Sequence, residues 1–452
     1  MHSQALNKSR NIRASVTRFL VASAILTCSF DIFLTLEVAG ATIRYCQIAE
    51  MCLACIALGG KGHYRGILRD KSFIALLVFV CLNTVFVFRS ESLTNAIGYE
   101  GWLLINVIFL VAAYGLTERG DVSVSFLARW YLVGSSIVAL FGLLQFALSH
   151  VGVYLFVTQF GQTGFGRING FSFEPSYYST YLIAAWVTLA YLAEKGSFIV
   201  LSRRMGYGCL LVLTLSILLS TSKLGWGAMA LWVVLRVIMA LKSALCGRSF
   251  GSNISVRRAV PLVAIVIVIV CIVGLIGQKY DLINTFFAGS GLFGTSAHSS
   301  GDRLSRMGSL LALFVQSPLL GVSLGGVDPA LATYLDIPYS TNGLGINTTL
   351  EVAVATGVFG ALAWLFFVLT TCLFRPFVSK RDACSLLTKG LAAGVAIQFL
   401  LLQANQNMLR PYFWVGISIL FAALQKGGMA SRRADPHLLG GERADNSSGQ
   451  AL

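Results

Sequence analysis

The run Gly166-Arg167-Ile168-Asn169-Gly170-Phe171-Ser172-Phe173-Glu174-Pro175-Ser176-Tyr177-Tyr178 concentrates more groups able to do chemistry than any other stretch of this 452-residue chain. An arginine guanidinium grips phosphate oxygens through two parallel hydrogen bonds and does not lose its charge. Glu174 precedes a proline, which pushes it to an extended conformation. Pro175 itself suits the first turn of a helix, where its missing N–H costs nothing. The Glu174 carboxylate therefore belongs at the positive end of a helix dipole, beside backbone donors. Three roles are open to it: general base, partner of Arg167, or helix cap. Asn169, Ser172 and Tyr177 in the same run are candidate substrate ligands.

Other cations extend the set. Arg303 and Arg306 stand among Gly, Ser and Asp, and forks of this kind converging with Arg167 would suit a pyrophosphate. Ser220-Thr221-Ser222-Lys223-Leu224-Gly225-Trp226 reads as a tight turn, in which Lys223 either faces the same cavity or snorkels beside Trp226. Arg410 is a further candidate ligand. Ser340, Thr341, Asn342 and Asn347, followed by Glu351, suit sugar hydroxyls, and they suit turns and caps equally.

The elements that must hold these residues are membrane helices. The chain is 56% hydrophobic and carries only 34 Lys and Arg with 19 Asp and Glu. That charged share is about half of a soluble domain's. Apolar runs of roughly 17–25 residues recur from end to end, each long enough to span a bilayer as a helix. Soluble enzymes and secreted disulfide scaffolds are excluded. The net charge of +15 reflects the excess of Lys and Arg in cytoplasmic loops, and no nucleic-acid partner follows from it. The pair Cys52 and Cys55 has redox spacing but sits in an apolar stretch, where packing is its expected role.

Spans are expected at about 19–39, 41–59, 72–88, 100–116, 125–148, 177–193, 207–221, 225–241, 259–278, 347–373, 387–404 and 411–425. This is an all-α polytopic bundle of about twelve transmembrane helices, GT-C-like, with a large extracytoplasmic loop. Residues 1–18 form the N-terminus, helices 1–5 occupy 19–148, and a first outer loop runs over 149–176. Helices 6–9 occupy 177–278, the large loop 279–346 and helices 10–12 347–425, leaving a disordered tail at 426–452. Twenty-four of the 34 basic residues fall in alternate loops, which places both termini in the cytoplasm. Arg129 and Arg236 lie near inner helix ends, and eight are left outside: Arg44, Arg89, Arg167, Lys223, Lys279, Arg303, Arg306 and Arg410. Arg44, Arg89 and Lys279 read as headgroup contacts or surface ion pairs. Within the large loop, Leu304, Met307, Leu310, Leu311, Phe314 and Val315 share one face of a helix at 303–316, with Asp302 ahead of it as a cap.

At this point the motifs, taken in order, resemble a family. Arg-x-Asn-Gly-Phe-Ser-Phe-Glu-Pro-Ser, Ser-Thr-Ser-Lys, Gly301-Asp302-Arg303, Ser317-Pro318-Leu319-Leu320-Gly321-Val322, and Glu351 with Gly357-Val358-Phe359-Gly360 are similar to the O-antigen polymerase and O-antigen ligase superfamily of bacterial envelope enzymes. The resemblance spans roughly residues 120–420. It implies a donor glycan on undecaprenyl pyrophosphate, transferred to an acceptor hydroxyl outside the inner membrane. The family's functional arginines carry over to Arg167 and Arg303. Ligases also place a histidine late in the large loop, where this chain has Asn342 and Asn347; its histidine in that loop is His298, ahead of Arg303. The base is then left to Glu174.

The reading is a multi-pass inner-membrane glycosyltransferase that polymerises lipid-linked repeat units of a surface polysaccharide. Arg167, Glu174 and Arg303 are its catalytic candidates; Arg306, Lys223, Arg410, Asn169, Ser172, Tyr177 and Asn342 are its substrate ligands. Its partners are the lipid-linked oligosaccharide, the bilayer, and a flippase and chain-length regulator of the same pathway. No cofactor is expected. The outer acids Glu37, Glu91, Glu100, Glu174, Asp281, Asp302, Asp328, Asp336 and Glu351 include no close pair, so no divalent metal is expected either. The alternatives are an O-antigen ligase with a lipid A-core acceptor, and a transporter or flippase.

Overall fold

Apolar sequence of this kind forms helices in lipid because every backbone polar group must be satisfied within its own segment. The computed structural model describes residues 2–38, 41–60, 64–160, 166–245, 297–339, 347–378, 385–404 and 408–434. The helices are α1 (His2–Thr27), α2 (Tyr45–Leu58), α3 (Lys71–Phe86), α4 (Leu93–Glu118), α5 (Val124–Ser149), α6 (Pro175–Glu194), α7 (Arg203–Leu219), α8 (Lys223–Leu245), α9 (Ala297–Gln316), α10 (Val327–Tyr334), α11 (Thr348–Leu369), α12 (Leu386–Leu402) and α13 (Pro411–Ala434). Among the described residues, four helical stretches are long and apolar enough to cross a membrane: Lys71–Arg89, Leu93–Glu118, Val124–Ser149 and Thr348–Val378. Shorter apolar helices, Tyr45–Leu58 and Leu386–Leu402, accompany them.

Several expectations need correction. The first span does not run over 19–39. Helix α1 starts at His2 and stops at Thr27, and the chain then forms an antiparallel hairpin of β1 (Thr35–Val38) and β2 (Ala41–Arg44), with Thr35 opposite Arg44. Asp31 and Glu37 are costly in a spanning helix, and β-branched Thr35, Val38, Thr42 and Ile43 favour strands. The bundle is thus helical with one small hairpin rather than purely α. Residues 426–434, expected in the tail, continue α13. Helix α9 begins before Asp302, which lies inside it rather than ahead of it. On α9, Leu310 is buried with Met307 and Phe314 half-buried, whereas Leu311 and Val315 are exposed, so the packed stripe is narrower than the expected face. Cys52 and Cys55 are free thiols on the exposed side of α2, not packed within the bundle. The expected span 259–278 lies outside the described residues.

Helix α6 is the centre of the bundle. Every residue from Tyr178 to Glu194 is buried, so the helix is surrounded by protein and can be rich in Tyr, Ser and Thr. Their hydroxyls bond inward: Thr180 and Thr188 donate to Ser176 O and Ala184 O, and Trp186 Nε1 donates to Thr214 Oγ1 at 2.8 Å. Helix α12 packs most extensively on it through Gly390 and Gly394. A Cβ on Gly394 would stand 2.2 Å from Ala184 O, so only glycine permits this approach.

The second device is a broken helix. Gly357 interrupts α11 with φ 66°, and segment 318–323 takes up the backbone groups freed there. Val322 N donates to Val354 O (3.2 Å), Ser323 N to Ala355 O (2.9 Å), and Val358 N to Pro318 O (2.8 Å). Such non-helical backbone survives at membrane depth only where protein buries it. The segment is pinned further by Arg89 Nε to Gly321 O (3.2 Å), Asn83 Oδ1 accepting from Leu324 N (2.8 Å), and Asn95 Nδ2 to Gly325 O (2.5 Å). Arg89, though exposed, therefore also braces this segment.

Candidate active site

The loop between α5 and α6 is built around Gly170, which turns with φ 57°. Gln145 of α5 clamps it, accepting from Gly170 N (2.8 Å) and donating to Gly170 O (3.0 Å). Asn169 is fully buried and donates to Phe156 O (3.0 Å) and Ser172 O (2.6 Å). Ser172, also buried, donates to Ser29 O at 3.3 Å. These two shape the loop, because their donors are spent on its own backbone and on the end of α1. Phe171 stacks on Phe141 at 4.1 Å, and its carbonyl accepts from Asp31 N (2.9 Å) and Ile32 N (3.1 Å).

This brace fixes the ends of the run. At one end Arg167 leans on the Ser-Thr-Ser turn: Nε donates to Thr221 Oγ1 (3.0 Å), Nη2 to Thr221 O (3.3 Å), and Nη1 to Gln159 Oε1 (3.2 Å). Thr221 holds a left-handed conformation (φ 54°) to offer both oxygens. The turn is in turn held to α6 by Ser179 Oγ donating to Ser222 Oγ at 2.7 Å. Each terminal nitrogen of Arg167 keeps one N–H that these bonds do not use. Partial burial lowers the Arg167 pKa, while the charge of Glu174 raises it. The two motifs recognised separately in the sequence thus meet here.

At the other end Glu174 stands at the N-cap of α6 with extended backbone (φ −138°, ψ 149°), and Pro175 occupies the first turn. Its side chain caps nothing; it accepts from Ser176 Oγ at 2.9 Å. Among the described residues it forms no ion pair with Arg167. Tyr177, half-buried, lies one turn on, with the Arg410 guanidinium 4.9 Å from its ring centre and 5.4 Å from that of Phe173. Glu174 acts electrostatically on both Arg167 and Tyr177, and the Arg410 guanidinium lies over Phe173 and Tyr177, the rings that flank Glu174 in sequence.

Arg410 brings in residues the sequence reading passed over. Its Nη1 donates to Asp31 Oδ1 (2.7 Å), and Arg44 Nε donates to the same oxygen (2.9 Å). Burial would lower the Arg410 pKa, but Asp31 together with Tyr177 and Tyr412 outweighs it and the net direction is upward. Arg44, expected at a headgroup or in a surface ion pair, is in a buried ion pair instead, and Asp31 was not among the candidates. The signal available was an acid flanked by apolar sequence, which in lipid demands a partner.

The remaining candidates are placed differently. Lys223 is exposed at the start of α8, two residues from Arg167's anchor. Arg303 and Arg306 fall one turn apart on α9, which packs against α10 and α11; Arg306 is half-buried. Arg167 and the rings under Arg410 belong to the same run at the start of α6. Asn342 lies outside the described residues. Asn347 is a cap, accepting from Leu350 N (2.9 Å) and donating to Gln403 O (2.8 Å).

The segment 208–365 matches the family model described as O-antigen ligase. That match, over about a third of the chain, supports kinship with the O-antigen ligase and polymerase superfamily. A comparison with curated proteins finds no match. The family segment includes the Thr221 turn, α9 and the paired motifs at 317–322 and 357–360, whereas Arg167, Glu174 and Arg410 lie outside it. With its apolar helices and this match, the chain is a multi-pass membrane protein.

Proposed function

We propose that this protein polymerises oligosaccharide repeat units carried on undecaprenyl pyrophosphate, at the end of the bundle bearing Arg167, facing away from the cytoplasm. The observation that carries this reading is Arg167 itself. Three hydrogen bonds hold its guanidinium rigid, and the N–H left on each terminal nitrogen forms a fork suited to a phosphate. In the transfer, the acceptor hydroxyl attacks the donor's anomeric carbon. The bond from that carbon to the pyrophosphate oxygen breaks as the glycosidic bond forms. Arg167 and Arg410 receive the charge that develops on the departing pyrophosphate, and fixed dipoles and charges of this kind lower the barrier without reorganising. Glu174, free of any capping bond, takes the proton of the acceptor hydroxyl. Arg303 and Arg306 of α9 hold the lipid-linked donor.

A second reading is favoured by the description of the matched family: transfer of finished glycan to a lipid A-core acceptor, as a ligase does. The sugar products of a deletion strain separate the two. Loss of long chains with single units still attached marks a polymerase. Loss of all attachment to the anchor lipid marks a ligase, and unchanged glycans would remove both readings.

A further inference from the structure

We propose that Arg44 and Asp31 are positioning residues that set the charge and aim of Arg410, making it the second anion-binding cation of the site. An arginine locked onto one carboxylate is a neutral pair and a poor ligand for an anion. Here two guanidiniums share a single oxygen, Asp31 Oδ1, at 2.9 and 2.7 Å. The cluster therefore keeps one unit of positive charge. Exposure decides where that charge is offered: the side chains of Asp31 and Arg44 are 1% and 7% exposed, and that of Arg410 is 19% exposed. Arg44 neutralises Asp31 from the buried side, and Arg410 presents the surplus.

The arrangement is not what a purely structural ion pair would adopt. To knit hairpin, α2 and α13 together, one arginine would suffice. A second arginine serving stability would take the second oxygen, yet Asp31 Oδ2 is buried and has no hydrogen-bond partner among the described residues. Uncompensated charge among apolar groups is expensive unless a counter-charge arrives. The guanidinium is also aimed, lying over Tyr177 and Phe173 and tied through Asp31 N–H to the carbonyl of Phe171. It thus lies over the two rings that flank Glu174 in sequence, and the anion chemistry that fits a planar fork is phosphate or pyrophosphate.

This inference rests on the pyrophosphate reading above, and its test does not need turnover. Inorganic pyrophosphate is titrated calorimetrically into purified full-length protein in lipid nanodiscs. Wild type binds, and Arg410→Gln abolishes a large part of that binding. Arg44→Gln, although far from the ligand, weakens binding about tenfold, because Arg410 then forms a neutral pair with Asp31. Arg44→Lys restores it, since a point charge suffices beside Asp31. Asp31→Asn leaves binding as tight as wild type or tighter while kcat for polymer falls. Wild-type affinity in folded Arg44→Gln overturns the proposal, as does equal weakness of the Gln and Lys variants. If Arg44→Gln does not fold, weaker pyrophosphate binding by folded Asp31→Asn overturns it instead. Wild-type binding insensitive to Arg410→Gln, or no binding at all, also overturns it, whereas the polymerase reading stands or falls on the deletion-strain sugars.

Discussion

At the scale of single residues, the site is a matter of which donors are already spent. Asn169 and Ser172 looked like sugar ligands in the sequence, but their donors are spent on bracing the loop. Arg167 is held by three bonds and keeps donors in reserve. Arg167→Ala should therefore abolish polymer while the protein remains in the membrane at near-normal levels. Arg167→Lys should rescue poorly, because one ammonium cannot hold Thr221 and also present a fork. Immunoblots of membranes alongside glycan gels check both, and full activity of the alanine variant would remove the pyrophosphate role. Arg303→Ala is expected to behave alike. Glu174→Gln separates base from brace: it keeps the shape and can still bond Ser176, but it cannot take a proton. As the base, Glu174 requires turnover to fall roughly 10²–10⁴-fold in the Gln variant with donor affinity retained. A variant with near-wild-type maximal rate in vitro would take Glu174 off the catalytic list.

At the scale of elements, two contacts decide how the bundle holds its site. The first is the backbone junction between segment 318–323 and the break at Gly357. The sequence carried both halves as separate motifs; their pairing was invisible because it depends on main-chain groups that only the fold brings together. A Cβ on Gly321 would lie 1.9 Å from Ala355 O, and backbone cannot easily yield. Gly321→Ala should cost about 1–3 kcal/mol and lower the melting temperature of the purified protein. Gly98→Ala on α4, where a Cβ meets nothing within 4 Å, should leave it unchanged or raise it slightly. Equal melting of the two variants would argue against the junction. The second contact is Asp70 at the opposite end of the bundle, which caps α3 through Ser72 N and Phe73 N and binds Arg375 (2.8 Å) and Gln425 (2.5 Å). Burial alone would raise its pKa, but Arg375 and these hydrogen bonds outweigh that and lower it below the usual 3.8. A depressed carboxylate stabilises the fold fully above its ordinary pKa, and that contribution is lost as pH falls through the folded value. The stability gap between wild type and Asp70→Asn should hence stay constant from pH 7 to about 5 and shrink below about 4. A gap that persists at pH 3 would show that Asp70 acts by shape alone.

At the scale of the whole molecule, what the sequence made legible follows the physics of its solvent. Lipid enforces helices wherever twenty or so apolar residues run together, so ten of the twelve expected spans coincide with helices and Pro175 marks the start of α6 correctly. Where charge and β-branched residues interrupt that rule, at Asp31 to Arg44, the reading failed, and the hairpin it missed carries half of the cation cluster. Long-range partners such as Arg410 with Asp31 were not legible at all, since 379 residues separate them and nothing local marks the pair. The helix ends do alternate as successive crossings require: Thr27, Tyr45, Ser149, Pro175, Leu219, Lys223 and Pro411 border the Arg167 end, and Lys71, Arg375 and Gln425 meet at the other. Charge then predicts which end faces which side. Basic residues crowd the loops at the Asp70 end, and the positive-inside rule assigns that end to the cytoplasm. A reporter active only outside the cytoplasm should accordingly work when fused near Gly164 or Ser300 and fail near Arg203, Ser252 or Ser379. Because a lipid-linked donor must reach Arg167 on the outer side, the reverse pattern would sink the polymerase and ligase readings together, whatever the arginine variants do.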